Sequence, residues 1–358
     1  MRLNKLFLSA IATTLACAGY ADTIQEDKEI SMSMNSKTID NQSSMVENRL
    51  CKLENQINGF KTHNPVYGDM QMDFLYWRGG GNDWFYGITQ QPSNGAVGKI
   101  LRQELNWKPG ARLNIDFSGL YDWTMGLMWT YYHNKTSVHT TKNIQDVFSQ
   151  ISVTDLLAKS KLTYNTLDLN FGSNFRLNKT FEFNPFFGVR GIGIKRNIFH
   201  DVQGISNQQF SHLIMDNSYK FYGCGPRLGL KAFCNFGDTG LSFLGSFSSG
   251  IMLGKAKILQ SVESQVQGRG GPGTISDAIK DLKTTIQLLA GVNYKYCFDH
   301  DSKAVFLQFA WEHNYYWDFS DSFFFVGTAG GNDGGLSVSE NYEALILYGM
   351  NFGIGFEY

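Results

Sequence analysis

Beyond its first residues this sequence has no long apolar run. That excludes a bundle of membrane helices, each of which needs about 20 consecutive apolar residues. The longest uncharged stretch, beginning at Thr239 and passing Leu253, is broken by Ser and Gly at alternate steps. Charge is scarce, at 18% of residues, and balanced to a formal net of -1. A nucleic-acid binder would carry a basic surplus. The 6 Pro and 5 Cys are too few for a Pro-rich linker array or a small disulfide scaffold. No CxxC, HExxH or GxSxG motif occurs, and the Gly-rich "VQGRGGPG" lacks the ordered Gly and Lys-Ser/Thr of a phosphate loop. The acidic residues form no dyad by spacing, so no enzyme and no cofactor is expected.

What is present is aromatic and small. Phe, Tyr and Trp make 15% of the chain, alongside 38 Gly. The mean hydropathy is only -0.24. Half-apolar strands produce this average, because lipid-facing and lumen-facing residues alternate.

The N-terminus "MRLNKLFLSAIATTLACAGYAD" has a basic start, an apolar stretch from Leu6 to Ala18 and small residues placed for cleavage after Ala21. It reads as a signal peptide over 1–21. Residues 22–66 read as a polar periplasmic leader with one short helix, in which Val46, Leu50, Leu53 and Ile57 are spaced as a coiled-coil seam. Two heptads are marginal alone. They fit either a lone amphipathic helix or a seam that helps hold a homo-trimer. Export permits pairing among Cys51, Cys224, Cys234 and Cys297, and their spacing selects no pattern.

From about residue 67 to 358 the period is two. Leu113, Ile115 and Phe117 oppose Arg112, Asn114 and Asp116; Leu167, Leu169 and Phe171 oppose Asp168 and Asn170. The chain closes on "GMNFGIGFEY", with Phe352, Ile354, Phe356 and Tyr358 on one face. Short connections (Phe117 to Thr124, Leu177 to Phe181, Phe236 to Leu241, Phe298 to Ala304) alternate with long ones at 134–160, 199–217, 256–282 and 318–341. This predicts an all-β fold, a transmembrane antiparallel barrel of about 12 strands within a range of 10 to 16, with short periplasmic turns and long outer loops. Helical spacing at Ile144, Val147, Ile151 and Leu156 predicts a helix in one outer loop. A soluble all-β domain would share the periodicity but not the alternating loop lengths.

The inward polar residues Arg112, Asp116, Asp168, Asn170, Arg176, Arg190, Asn293 and Lys295 are the candidate pore lining. The same residues would serve equally to cross-link a plugged lumen. The terminal face, Phe352 to Tyr358, is the candidate signal for the barrel-assembly machinery.

In order along the chain, "MDFLYWRGGGNDWFYG", "WKPGARLNIDF", "LDLNFGSNFRLNKTFEFNPFFGVRG", "FYGCGPRLGLKA", "IMLGKA" and "FAWEHNYYW" resemble segments of the legionella- and chlamydia-type pore-forming major outer membrane proteins. The resemblance runs from Gly68 to Tyr358 and implies an outer-membrane porin in the lipid of that membrane, passing small hydrophilic solutes and ions, with envelope disulfides formed through the cysteines. It places Arg190, Arg227 and Glu312 in strand-signature segments that read as folding elements rather than a ligand site. The alternative function is a surface adhesin or structural envelope barrel without channel activity.

Overall fold

Alternation of large apolar and polar or small residues gives each strand two unlike faces, and ten such strands close on themselves. The structure, a computed structural model, describes residues 67–80, 85–89, 99–102, 105–118, 123–141, 144–145, 152–206, 209–237, 239–266, 272–298, 303–327 and 336–358. The strands are β1 (Tyr67–Gly80), β2 (Phe85–Thr89), β3 (Lys99–Arg102), β4 (Lys108–Ser118), β5 (Trp123–Thr140), β6 (Ile144–Gln145), β7 (Ser152–Ser173), β8 (Phe175–Arg176), β9 (Phe181–Ser206), β10 (Gln209–Asn235), β11 (Leu241–Val266), β12 (Pro272–Phe298), β13 (Lys303–Gly327) and β14 (Leu336–Glu357). The predicted signal peptide and leader, the seam Val46, Leu50, Leu53 and Ile57, and Cys51 lie outside the described residues.

All described pairings are antiparallel. The ring runs β1-β4-β5-β7-β9-β10-β11-β12-β13-β14 and returns to β1. Among the described residues it has ten strands, inside the expected range of 10 to 16 though below its centre of 12. In the chain between β1 and β4, the described strands β2 and β3 pair with each other, and β2 pairs with β6. They hang from one rim and never enter the ring. Closure is made by the terminal strand, in register from Asp69↔Glu357 to Gly80↔Ile346, and Gly68 and Tyr358 exchange two backbone bonds of 3.0 Å. A closed ring leaves no unpaired edge, which lipid would penalise heavily.

A band of exposed apolar side chains circles the ring beside the short-turn rim. Met72 and Phe74 on β1, Met125 and Leu127 on β5, Leu167 and Leu169 on β7, Phe243 and Phe247 on β11, and Phe352 and Ile354 on β14 all belong to it. From Trp123 to Tyr131 a tilted strand rises roughly 20 Å, most of the ~25 Å apolar band of such barrels. Aromatics mark both edges. Trp123, Tyr294, Tyr296 and Tyr358 stand at the short-turn side. On the other side Trp107 stacks on Tyr76 at 5.4 Å and meets Trp311 and Tyr348 edge-on at 6.0 and 6.1 Å.

Beyond the band the strands do not stop. β9 continues from Val189 to Ser206, roughly 40 Å more. Most of the expected long loops are therefore wall. Residues 152–160, 199–206, 209–217, 256–266, 272–282, 318–327 and 336–341 are strand. Of the four positions expected in a loop helix, Ile144 lies in β6 and Leu156 lies in β7, buried inside the ring, while Val147 and Ile151 lie outside the described residues.

Cys224 and Cys297 are exposed free thiols, and Cys234 is half-buried. Cys224 and Cys234 lie ten positions apart on one extended strand, and Cys297 is on β12, separated from β10 by β11. A disulfide needs Cα atoms within about 7 Å, so these three cannot bridge one another.

Candidate functional site

The lumen at the level of the apolar band holds one polar layer to which every ring strand gives a side chain. The contributors are Asp73 (β1), Arg112 (β4), Thr130 (β5), Asp168 (β7), Arg190 (β9), Arg227 (β10), Ser248 (β11), Gln287 (β12), Glu312 (β13) and Asn351 (β14), all buried. Alternation puts each on the inward face, and the stagger of a tilted ring brings them to one height.

The ten form a single hydrogen-bonded network. Arg112 donates to both carboxylate oxygens of Glu312 at 2.9 and 2.6 Å and to Thr130 Oγ1 at 3.0 Å, with Asp73 at 3.7 Å. Arg190 donates to both oxygens of Asp168 at 2.7 Å. Arg227 reaches the same carboxylate at 2.7 Å and Ser248 Oγ at 2.9 Å, and its guanidinium lies 5.2 Å from the Phe186 ring. Gln287 joins the halves. Its carbonyl oxygen accepts from Arg190 at 2.9 Å and Arg227 at 2.6 Å, and its amide donates to Glu312 at 2.6 Å. Asn351 donates to Asp73 at 3.2 Å and Glu312 at 3.4 Å. Only a group with donor and acceptor at one end can make the Gln287 link.

Three guanidinium groups face three carboxylates, so the layer is neutral. Buried ions are tolerable only when paired and hydrogen-bonded, and here each one is. Backbone room matters too. Gly349, opposite Trp77 and Glu312 in the two ladders, has a φ of +154°, and a Cβ there would fall 2.2 Å from the Tyr76 carbonyl oxygen. Only Gly suits that place.

Toward the far rim the lumen fills with apolar side chains. Trp77, Tyr132, Tyr164, Ile192, Phe221, Met252, Tyr316, Phe319 and Leu347 form one buried cluster. The Tyr164 and Tyr316 hydroxyls bond at 2.6 Å within it, and Tyr132 donates to the Trp77 carbonyl at 3.0 Å. A second cluster, Leu156, Ala158, Val202, Leu213 and Met215, lies farther along the same strands. Toward the short-turn rim the lumen is a polar vestibule, where Lys295 pairs with Glu357 at 2.5 Å and Lys231 stands 3.9 Å from Asp116.

Of the sequence-predicted residues, Arg112, Asp168 and Arg190 meet in the layer. Asp116, Asn170, Asn293 and Lys295 are half-buried on the vestibule side. Arg176 is brought elsewhere. It lies in the two-residue strand β8 between β7 and β9, its side chain 72% exposed and paired with Glu182 at 3.3 Å. The chain leaves the ring after Ser173, so its alternation there no longer marks a lumen face. Asp73, Thr130, Arg227, Ser248, Gln287, Glu312 and Asn351 escape the sequence reading. Their partners lie up to 278 positions away, and only the ring register unites them.

Solved structures similar to this chain are outer membrane barrels at low identity. The outer membrane protease OmpT of Escherichia coli is 12% identical, with a TM-score of 0.43, covering 83% of this chain and 97% of that one. The translocator domain of the autotransporter NalP of Neisseria meningitidis is 9% identical, with a TM-score of 0.31 and coverages of 89% and 97%. The toluene transporter TodX of Pseudomonas putida is 8% identical, with a TM-score of 0.29 and coverages of 83% and 91%. No curated protein matches the sequence. A family model does match, over residues 66–358 and therefore the whole closed ring, and by it this chain belongs to the outer membrane protein family described as Legionella pneumophila major outer membrane protein precursor.

Proposed function

We propose that this protein works as a surface-exposed envelope barrel with a lumen that is shut at rest. The observation that carries the reading is the ten-residue layer. A hydrated ion passing it must part at least one buried Arg–carboxylate pair, at about 3–5 kcal/mol, and then enter an apolar cluster. Ring size agrees. Barrels near eight strands are filled by their own side chains, and those of about 16 leave a channel. Each carboxylate of the layer is also engaged by a guanidinium or an amide, which supports a role without catalysis.

Passive diffusion of small solutes, the first expectation from sequence, is the second reading. The polar vestibule with Asp116, Asn293 and Lys295 favours it, since water reaches the layer from one side. It requires the layer to open. The deciding experiment is planar-bilayer conductance of refolded protein beside a double variant, Asp168→Ala with Arg190→Ala, folded fraction being checked by heat-modifiable migration. The shut-lumen reading expects a silent wild type; a conducting variant would place the seal in the layer, and a silent one would place it in the apolar cluster beyond. Steady stepwise channels in the wild type would establish the porin instead.

A further inference from the structure

Outside the ring, just past the far edge of the apolar band, the charge is one-sided. Eight lysines occupy six consecutive strands: Lys135 on β5, Lys159 and Lys161 on β7, Lys195 on β9, Lys220 on β10, Lys255 and Lys257 on β11, and Lys280 on β12. They share the outward face with the band below. On β7 the outward series runs Leu169, Leu167, Asn165, Thr163, Lys161, Lys159; on β11 it runs Ile251, Leu253, Lys255, Lys257. The other ring strands present aromatics at that height, such as Tyr315 and Trp317 at 4.4 Å from each other on β13.

The ladder sets these lysines directly against each other. Lys135 is opposite Lys161, Lys220 stands between Lys195 and Lys257, and Lys255 is opposite Lys280. Like charges facing across strands destabilise a sheet, and within the described residues none of the eight has an ion-pair partner. Lys135, Lys159 and Lys161 also line an outward cleft of about 140 Å³ with Ser160, Asn197, Phe199 and one carboxylate, Asp216. The Lys159 ammonium stands 5.3 Å from the Phe199 ring, which steadies it over the cleft.

We propose that this lysine arc is a docking surface for the phosphorylated glycolipid headgroups of the outer leaflet. Short turns of such barrels are periplasmic, which puts the arc at the outer headgroup level. Anionic headgroups supply the counter-charge that the single carboxylate Asp216 leaves short, and clustered lysines at a membrane surface attract them additively. The acyl chains of the same lipid would lie along the Leu, Ile and Phe band directly beneath. One molecule thus satisfies both zones, which a soluble anion cannot.

The test uses full-length protein reconstituted in phosphatidylcholine nanodiscs carrying a small fraction of bis-phosphorylated lipid A, with retained lipid A measured after washing. Lys135→Gln/Lys159→Gln/Lys161→Gln should lose retention by about tenfold or more. The triple Lys→Arg variant should keep it, which separates lost charge from misfolding. Lys179→Gln, in a turn at the opposite rim, should match the wild type. Retention should survive millimolar inorganic phosphate, because the apolar band holds the lipid as well. Equal retention by the Gln variant would overturn the proposal. So would full displacement by phosphate, or a preference for a soluble sulfated polysaccharide over lipid A.

Discussion

The half of the barrel inside the apolar band and the half beyond it are built inside-out with respect to one another. Within the band the outer face is Met, Leu, Ile and Phe, and the centre is three arginines and three carboxylates. Beyond it the outer face carries lysines, and the centre is largely apolar, with Trp77, Tyr164, Phe221, Phe319 and Leu347 beside a few buried polar groups such as Arg196, His200 and Lys283. The strands are continuous through both. What changes is the medium outside. Lipid accepts apolar groups and rejects charge, so the charges turn inward and must neutralise one another. Water reverses the choice, and the hydrophobic effect fills the centre. A single run of alternating residues therefore changes sign along its length without changing its backbone.

The widest break in that comparison comes from unbalancing the inner layer. Asp168→Asn keeps shape but leaves Arg190 and Arg227 without their shared carboxylate, at a cost of about 3–5 kcal/mol. Urea unfolding of the detergent-solubilised barrel should show a much lower midpoint. An unchanged midpoint would mean that the layer is not structural.

Next is the outer face. Leu169→Arg puts a charge against lipid and should cost about 2–4 kcal/mol in vesicles. Ser276→Arg on the outer wall of β12 should stay within about 0.5 kcal/mol. Equal effects at the two sites would place the band elsewhere than argued.

The sequence was legible where lipid and lumen differ most. Leu167, Leu169 and Phe171 against Asp168 and Asn170 gave strand, faces and direction at once. Beyond the band the contrast fades. On β7 the outward Leu157, Lys159 and Lys161 oppose the inward Leu156, Ala158, Ser160 and Leu162, so leucines sit on both faces. A helix and long loops were then read into what is wall. The ring of ten sits at the low end of the expected 10 to 16, because the described chain between β1 and β4 adds only short appended strands. The layer itself was half visible. Arg112, Asp168 and Arg190 stood out as inward charges, but Gln287 and Ser248 carry no sequence signal. Arg227 and Glu312, placed among folding signatures, lie in the layer, where Arg227 bonds Asp168 and Glu312 accepts from Arg112.

A smaller effect separates the zones by pH. His200 on β9, beyond the band, is buried, and that burial together with the neighbouring Arg196 holds its imidazole down to about 4. The unfolded side chain takes its proton near 6.5, so the unfolded state binds more protons between those values. Stability should be constant above about 6.5, fall as pH drops toward 4, and level off below, by up to about 3 kcal/mol in all. His200→Phe should flatten that slope. A slope of equal size in the variant would assign it to other groups.

Only a small change in stability is expected at the terminus, where the biological effect should nevertheless be large. Tyr358 is 57% exposed; its ring stacks on Phe356 at 6.1 Å and lies over Gly68, where a Cβ would meet it at 2.9 Å. The closing ladder runs through backbone groups, so Tyr358→Asp leaves every β1–β14 bond available. The finished barrel should lose only about 1 kcal/mol. If the terminal face Phe352, Ile354, Phe356 and Tyr358 is also read by the assembly machinery, membrane-inserted protein per cell should fall far more than that loss explains. Leu177→Asp is the matched control, because Leu177 is 73% exposed at the same rim and the change adds the same charge. Glu357 is a poor control, since it accepts from Lys295 at 2.5 Å. Equal insertion of the two variants would reduce Tyr358 to one more apolar residue at the membrane edge, leaving closure of the ring as the only role of the last strand.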